Sequence, residues 1–269
     1  MNAIMNSIQP FFFGPDTQQL YGTYQPGVGE SRPQCAVLLC YPLGDEYIRV
    51  HRSYRQLALR LNRLGFPVLR FDYSGTGDSA GNDLDASLAQ WGADIALASE
   101  ELKRRSGMSR ICLVGLRLGA ALALLAGMQR SDVTGMVLWE PVVNGAAYLE
   151  SLAEAHRNKL YYLHSRQKSL LETPSKEFLG FQMSDAFYAA LHGLDLLAVQ
   201  GAYAGQVCVV ESEAQPSVEQ LRTRLVEKGC TVNHQLAEGP AVWAEDPDKA
   251  LVPDQVLRAI VTWMGEVFA

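Results

Sequence analysis

Buried strands and amphipathic helices alternate along the first half of the chain. The run CAVLLCYP at 35–42 is continuously apolar, which is typical of a strand covered on both faces of a parallel sheet. Apolar residues then recur at helical spacing in two stretches, 54–64 and 84–102, and a further strand-like run follows each stretch. The resulting β-α-β-α-β-α-β order, with short links, predicts a doubly wound, mostly parallel sheet of the α/β class.

The pattern changes between about residues 144 and 200. This stretch is polar, helical in tendency and without strand signals. Strand and helix patterns return after it, and the last helix is expected to begin at about Asp254. We therefore expect one α/β domain over residues 1–269, with a helical lid at about 144–200 above the sheet.

Composition and charge exclude several classes of protein. The chain is 48% hydrophobic and 19% charged, which supports a packed core rather than disorder. A net charge of −6 argues against a nucleic-acid partner. The N-terminal segment has no positively charged start of a signal peptide, and no apolar run is long enough for stable membrane insertion.

The five cysteines are an odd number, and none forms a C-x-x-C pair. We interpret them as buried free thiols in a reducing compartment. The sequence therefore predicts a cytoplasmic protein without a metal site and without a cofactor.

The strongest chemical signal is ICLVGLRLGAAL at 111–122. An apolar strand is followed by Gly115 and Gly119 and then by an apolar helix, which is the pattern of a nucleophile elbow. Two glycines at this spacing are weak support by themselves, because helix packing alone can require them. The central position holds Arg117, and a guanidinium is neither a nucleophile nor a base near neutral pH.

These segments resemble the α/β-hydrolase superfamily, in its serine-aminopeptidase and monoacylglycerol-lipase-like branch, most strongly over residues 35–143. YPLG at 41–44 stands where those enzymes carry an oxyanion loop, and DYSGTGDSAG at 72–81 resembles their D-x-x-G-x-G-x-S segment. The phrases FDYSGTGDSAG and GLRLG are also similar to hydrolase-like proteins encoded beside bacterial exosortase and exopolysaccharide systems. The resemblance implies an α/β-hydrolase fold with a lid insertion.

The resemblance further implies a Ser-His-Asp triad, and this chain departs from it. The acid is expected after the strand QVCVV, where Glu211 and Glu213 are candidates. The base is expected near Val242 or Trp243, yet no histidine follows His234. Trp243 then either lines a pocket as an apolar wall or plugs it. Losing the nucleophile and the base together predicts that triad chemistry has been abandoned.

Arg117 has two interpretations, and both stay open at this point. At an elbow it lies beside a helix N-terminus and the backbone N–H groups of Leu118 and Leu43, which together form a receptor for an anion. Alternatively, Arg117 pairs with Glu140 at the end of the next strand, and the pair fills a dead site. Arg117 and Glu140 are thus the candidate catalytic residues. The candidate binding residues are Tyr41, Leu43, Leu118, Glu211, Glu213 and Trp243.

Four other side chains are weaker candidates. Ser79 is expected to fix its loop through local hydrogen bonds rather than to act as a nucleophile. Cys40 ends a strand and has no nearby base in the sequence. We expect His156 and His164 to lie at the surface of the lid or to pack within it.

Three functional hypotheses follow. The leading one is a hydrolase-fold protein that binds an acidic or acyl-type small molecule, or a partner protein, without ordinary serine hydrolysis. The alternative is an enzyme of ester, thioester or lipid-linked glycan metabolism that uses Arg117 as an electrostatic clamp. The third is a purely structural partner in an enzyme complex. The sequence also allows a homodimer.

Overall fold

The computed structural model describes residues 8–28, 32–163, 176–201, 203, 205–244 and 251–269, with backbone alone for 161–163. Within these ranges the strands are β1 (Gln9–Phe13), β2 (Leu20–Gln25), β3 (Ala36–Cys40), β4 (Val68–Phe71), β5 (Ile111–Leu116), β6 (Val133–Trp139), β7 (Glu177–Phe178), β8 (Phe181–Gln182), β9 (Gln206–Glu211) and β10 (Thr231–Leu236). The helices are α1 (Gly44–Arg63), α2 (Leu88–Ser106), α3 (Leu118–Gly127), α4 (Gly145–Leu163), α5 (Asp185–His192), α6 (Pro216–Glu227) and α7 (Asp254–Phe268).

The main sheet has eight strands in the order β1-β2-β4-β3-β5-β6-β9-β10. β2 pairs antiparallel with both β1 and β4, and all the other neighbours are parallel. Helix α1 packs on α7 and α2 packs on α3, so the sheet is covered on both faces. The prediction of a doubly wound, mostly parallel α/β sheet is confirmed. Because parallel strands end at the same edge, the residues that follow β3, β5, β6 and β9 come together there.

The central strands carry the core. Every residue of β3, β4 and β5 is buried, as the continuous apolar sequences of β3 and β5 predict. Helix α3 is apolar on nearly all sides, and eight of its ten residues are buried against β3, β5, β6 and α2.

Helix α2 begins later than its apolar pattern predicts. Its first residue is Leu88, because the side chain of Ser87 accepts a hydrogen bond from the N–H of Gln90 and caps the helix there. Leu84, at the start of the predicted apolar stretch, lies in a short 3₁₀ turn and is 53% exposed. Periodicity alone does not distinguish the last polar turn before a helix from the helix itself.

The segment between β6 and β9 is an insertion of helices around a short hairpin. Helices α4 and α5 confirm the helical tendency, and a bridge between Asn144 and Asp195 joins the two ends of the segment. The sequence shows no strand signal in this stretch, yet β7 and β8 pair antiparallel there. Strands of two residues are too short to show an alternating pattern. That the insertion acts as a lid stays a prediction.

No helix in the described ranges has the length and apolar content needed to cross a bilayer.

Two glycines permit the close contact between α3 and the sheet. A Cβ atom on Gly119 would lie 2.2 Å from the carbonyl oxygen of Cys40, and one on Gly115 would lie 2.3 Å from the carbonyl oxygen of Gly119. Both obstacles are backbone atoms, so a side chain at either position forces the helix and the strand apart. The predicted role of these glycines in helix approach is confirmed.

We expect Gly119→Ala to lower the free energy of unfolding by about 1–3 kcal/mol, because the added methyl group overpacks against backbone. Gly92→Ala in α2 is the matched control, since nothing lies within 4 Å of the added atom. That substitution should raise stability by about 0.5–1 kcal/mol through helix propensity. Urea denaturation of both variants measures the difference, and equal stabilities would contradict the close approach.

All five cysteines are free and buried, as their apolar surroundings predict. Burial raises the pKa of the Cys40 thiol to about 12, and a hydrogen bond with Tyr73 opposes the shift. Burial also raises the pKa of Cys35 and of Cys208 to about 12. A thiol that does not ionise near neutral pH is a poor nucleophile.

We therefore expect the folded protein to react very slowly with a thiol-specific disulfide reagent at pH 8. After denaturation, five thiols per chain should react within minutes, because burial no longer suppresses the thiolate. Absorbance of the released thiol measures both phases. A thiol that reacts rapidly in the folded protein would contradict the burial of all five.

Candidate functional site

Arg117 lies at the sharp corner between β5 and α3. Its backbone has φ 55° and ψ −121°, a conformation that non-glycine residues rarely adopt. Its N–H donates to the carbonyl of Trp139 at 3.0 Å, and its carbonyl accepts from the N–H of Ala120 at 3.1 Å and of Val142 at 3.2 Å. These bonds to β6 and to the first turn of α3 hold the strained corner in place.

Strain is concentrated at this end of the sheet. Within the described ranges, the non-glycine residues with positive φ are Arg117, Glu140 at 45° and Leu179 at 57°. Glu140 follows β6, the strand beside β5, and Leu179 lies in the hairpin of the insertion. Such residues cluster at functional sites, because strain persists where the surroundings fix the conformation.

The guanidinium of Arg117 is held by residues from three segments. Its Nε donates to Oε1 of Glu46 at 3.2 Å, and the hydroxyl of Tyr148 donates to Oε2 of Glu46 at 2.8 Å. The rings of Tyr148 and Trp243 lie with their centroids 5.3 and 5.5 Å from the guanidinium carbon, within the range of cation–π contacts. The start of α1, the insertion and the loop after β10 therefore meet at the elbow.

The predicted pair between Arg117 and Glu140 was wrong. Oε1 of Glu140 accepts from both the backbone N–H and the hydroxyl of Ser212, at 2.6 Å each. Glu140 has positive φ and bonds to the loop after β9, while Glu46 in the first turn of α1 takes the guanidinium. The acidic residues at the start of α1 look like ordinary helix-dipole partners, so sequence reasoning missed Glu46.

Burial and neighbouring charges shift the pKa values of both groups in this ion pair. Burial raises the pKa of the Glu46 carboxyl, and the Arg117 cation and the Tyr148 hydroxyl oppose that rise. Burial lowers the pKa of the Arg117 guanidinium, but Glu46 and Tyr148 outweigh it and the net shift is upward. Arg117 therefore stays cationic, while its carboxylate partner is the more easily protonated member.

A cavity of about 830 Å³ opens above Arg117. Its charged walls are Arg49, Arg117, Lys159, Asp45 and Glu46. Asp45 pairs with Arg49 and lies 3.8 Å from Lys159. The terminal nitrogens of Arg117 make no hydrogen bond to any residue within the described ranges. Within the described ranges, neither a pair of Arg117 with Glu140 nor the ring of Trp243 fills this pocket.

The candidate residues of the oxyanion loop have mainly structural surroundings. Tyr41 is buried and stacks on Tyr54 at 4.5 Å, and its hydroxyl accepts from Nη1 of Arg70 at 3.2 Å. Leu43 is buried at the start of α1 and lines a separate apolar cavity. Leu118 is fully buried as the first residue of α3. None of the three candidates, Tyr41, Leu43 and Leu118, is among the described residues around the large cavity.

Glu211 and Glu213 have different environments. Glu211 is buried at the end of β9, where Oε2 lies 2.8 Å from Nε2 of His234 in β10 and Oε1 accepts from the N–H of Gln215 at 3.0 Å. Burial raises the pKa of the Glu211 carboxyl, and the bonds from Gln215 and His234 oppose it. Glu213 is exposed. Of the two predicted acids, Glu211 is thus the one with a histidine partner.

The D-x-x-G-x-G-x-S segment is fixed by its own side chains. The hydroxyl of Ser79 donates to the carbonyl of Asp72 at 2.6 Å and accepts from the N–H of Tyr21 at 2.9 Å. The carboxylate of Asp72 accepts from the hydroxyl of Tyr47 at 2.9 Å and from the N–H of Asp78 at 3.1 Å. The prediction that Ser79 fixes its loop is confirmed.

His156 of the insertion is bonded to the hairpin. Nδ1 of His156 accepts from the N–H of Leu179 at 2.9 Å, so His156 fixes the hairpin and packs as expected. His164 lies outside the described residues. Among the described His, Cys, Asp and Glu side chains, no group of three is placed to hold a metal ion.

Comparisons with known proteins agree with this architecture. An uncharacterized protein of Mycobacterium tuberculosis (strain H37Rv) is 36% identical over 166 residues, which cover 60% of this chain and 53% of that protein. The human Protein ABHD12B is 26% identical over 209 residues, covering 74% and 55% respectively. This chain thus spans about half the length of the curated relatives it matches.

Solved structures show the same fold. Est1E from Butyrivibrio proteoclasticus, solved with ferulic acid bound, has a TM-score of 0.64 and 15% identity, covering 95% of this chain and 96% of that one. At this identity the likeness concerns the fold alone. The family model described as serine aminopeptidase, S33, matches residues 33–180, more than half of the chain. The chain therefore belongs to the serine aminopeptidase S33 family of α/β hydrolases.

Proposed function

We propose that this α/β-hydrolase-family protein binds an acidic or acyl-type small molecule at the elbow and does not perform serine-type hydrolysis. The observation that carries the proposal is Arg117, a cation at the elbow corner that lines a cavity of about 830 Å³ and whose terminal nitrogens have no hydrogen-bond partner among the described residues. This volume lies within the range of small-molecule binding pockets, about 300–1,000 Å³.

The orientation of Arg117 supports recognition of an anion. Glu46 holds the Nε edge of the guanidinium, and Tyr148 and Trp243 flank it. The two terminal nitrogens make no bond within the described part of the chain, and they form a planar fork that fits a carboxylate or a phosphate. Because the side chain is already held in place, little rotamer entropy is lost when a ligand binds.

The electrostatics of the cavity also favour an anion. Among the described residues, three basic side chains line it against two acidic ones. Glu46 contacts only Nε of Arg117, which leaves the terminal nitrogens to an anion. Helix α3 begins directly after Arg117, so its N-terminal dipole adds positive potential at the corner.

The remaining walls favour an apolar tail on the ligand. Leu152, Leu179 and Trp243 line the cavity beside the charged groups. A ligand with a charged head and a hydrocarbon body would place its head on Arg117 and bury its body against these side chains. Each buried methylene group contributes about 0.8 kcal/mol, which makes an acyl chain a suitable body.

A second candidate function is an enzyme of ester, thioester or lipid-linked glycan metabolism. The pair of Glu211 and His234 favours it, because a carboxylate that orients an imidazole is the usual support of a general base. In that case Arg117 would stabilise developing negative charge. The two candidate functions differ in whether the protein turns over an ester substrate.

Octanoate is expected to bind the wild type more tightly than octanol, and Arg117→Ala should weaken octanoate binding at least tenfold. A charge-assisted hydrogen bond contributes about 1.5–3 kcal/mol, and about 1.4 kcal/mol corresponds to a tenfold change. Glu46→Gln should strengthen binding, since it removes the competing carboxylate. Calorimetry measures the affinities, and the change in total tryptophan fluorescence on binding provides a second readout.

Arg104→Ala is the control for that series, because the Arg104 side chain is 66% exposed on α2 and its loss changes net charge without touching the cavity. Equal affinity of octanoate for the wild type and for Arg117→Ala would overturn the proposal. Equal affinity of the wild type for octanoate and octanol would do the same.

The wild type should remain unlabelled by a fluorophosphonate probe and should hydrolyse p-nitrophenyl esters at the background rate. A guanidinium is not a nucleophile, and the hydroxyl of Ser79 is already hydrogen-bonded on both sides. Arg117→Ser should also stay unlabelled, because Trp243 stands where the family pattern needs a base.

An active serine hydrolase in the same gel is the positive control for labelling. Labelling of the wild type would contradict the absence of serine chemistry. Ester turnover that falls in both His234→Gln and Arg117→Ala would instead favour the enzymatic candidate.

A further inference from the structure

A second cavity lies on the other face of the start of α1. Positions 45, 46 and 49 of this helix face the cavity above Arg117, whereas positions 44, 47 and 48 face the second one. The second cavity has a volume of about 210 Å³. The turn at Gly75 and Gly77 closes one side, and residues 181–187 of the insertion close the other.

The polar atoms of its largest side chains are bonded within the protein. The hydroxyl of Tyr47 donates to the carboxylate of Asp72 at 2.9 Å, and Nε1 of Trp91 donates to the carbonyl of Ser74 at 3.0 Å. The rings therefore present carbon to the cavity. No lysine, arginine or histidine is among the described residues that line it, and its one acidic residue, Asp83, is exposed.

Aromatic and sulfur groups dominate these walls. Trp91 and Phe187 make an edge-to-face contact with ring centroids 5.2 Å apart, and Phe181 lies over Gly44. Met183 contributes a polarisable thioether. Rings pack well against the edges and faces of other rings and against thioethers, so this set of side chains suits an aromatic guest.

The volume limits the guest to one ring. An apolar cavity of about 150 Å³ lined by Leu, Ile and Phe stays dry and binds benzene. A cavity of 210 Å³ with similar walls takes a ring that carries a small substituent. A charged substituent would lose its hydration with no cation to receive it.

We infer that this second cavity binds a neutral, single-ring aromatic group, independently of the anion at Arg117. The two sites lie on opposite faces of the first turns of α1, and no described residue lines both of them. A bound ring would also contact both the insertion and the core, because the walls of the cavity come from both.

Ligand-observed ¹⁹F NMR with 4-fluoroanisole tests the inference. The wild type should bind this neutral probe, and Ala86→Leu should weaken binding at least tenfold, because Ala86 lines the cavity and a larger side chain fills it. Ala155→Leu is the matched control, since Ala155 lines the cavity above Arg117 and should leave the affinity unchanged.

Met183→Ala tests the same cavity in the opposite direction and covers the case in which Ala86→Leu fails to fold. It enlarges the space, so it should gain binding of 1-fluoronaphthalene that the wild type lacks. Failure of 4-fluoroanisole to bind, or loss of binding in Ala155→Leu, would overturn the inference. Equal binding of 4-fluorobenzoate that is lost in Ala86→Leu would also overturn it, because the site would then accept charge.

Discussion

One cation at the corner of the sheet sets the arrangement around it. Arg117 is 18% exposed in a strained turn, and a partly buried charge without a partner costs several kcal/mol. Glu46 meets that requirement from α1, and Tyr148 supports Glu46 from the insertion. A single ion pair thus links three segments that are distant in the sequence, and it fixes where the insertion contacts the core. The shape of the neighbouring cavity follows from this contact.

The corner itself does not depend on the chemistry of its side chain. Gly115 and Gly119 allow the close backbone contact, and hydrogen bonds to β6 hold Arg117 at positive φ. Any residue that tolerates this backbone is presented to the same space above the sheet. Family membership therefore establishes the backbone turn at the site, whereas the residue at position 117 decides the chemistry that the turn can support.

The local sequence pattern predicted the strands and helices of the sheet well. It predicted the side-chain contacts around Arg117 poorly. The apolar runs of β3 and β5 and the all-apolar α3 follow from burial on both sides, which a linear sequence records directly. The partner of Arg117 does not follow in this way, because Glu46 lies 71 positions away and resembles a helix-dipole residue. Glu140, which is closer in the sequence, was the predicted partner. Its positive φ and its bonds to Ser212 arise from tertiary structure, so the sequence does not reveal them. The hairpin of the insertion is likewise too short for any periodicity.

The contact between Glu46 and Nε of Arg117 has a directional consequence. A guanidinium offers a side edge and an end edge to a carboxylate, and Glu46 already occupies the side edge. In the proposed complex the ligand meets the end edge, and the ring centroids of Tyr148 and Trp243 lie 5.3 and 5.5 Å from the guanidinium carbon. In the proposed complex, two parallel N–H···O bonds from the end edge would also set the direction in which the body of the ligand leaves its head group.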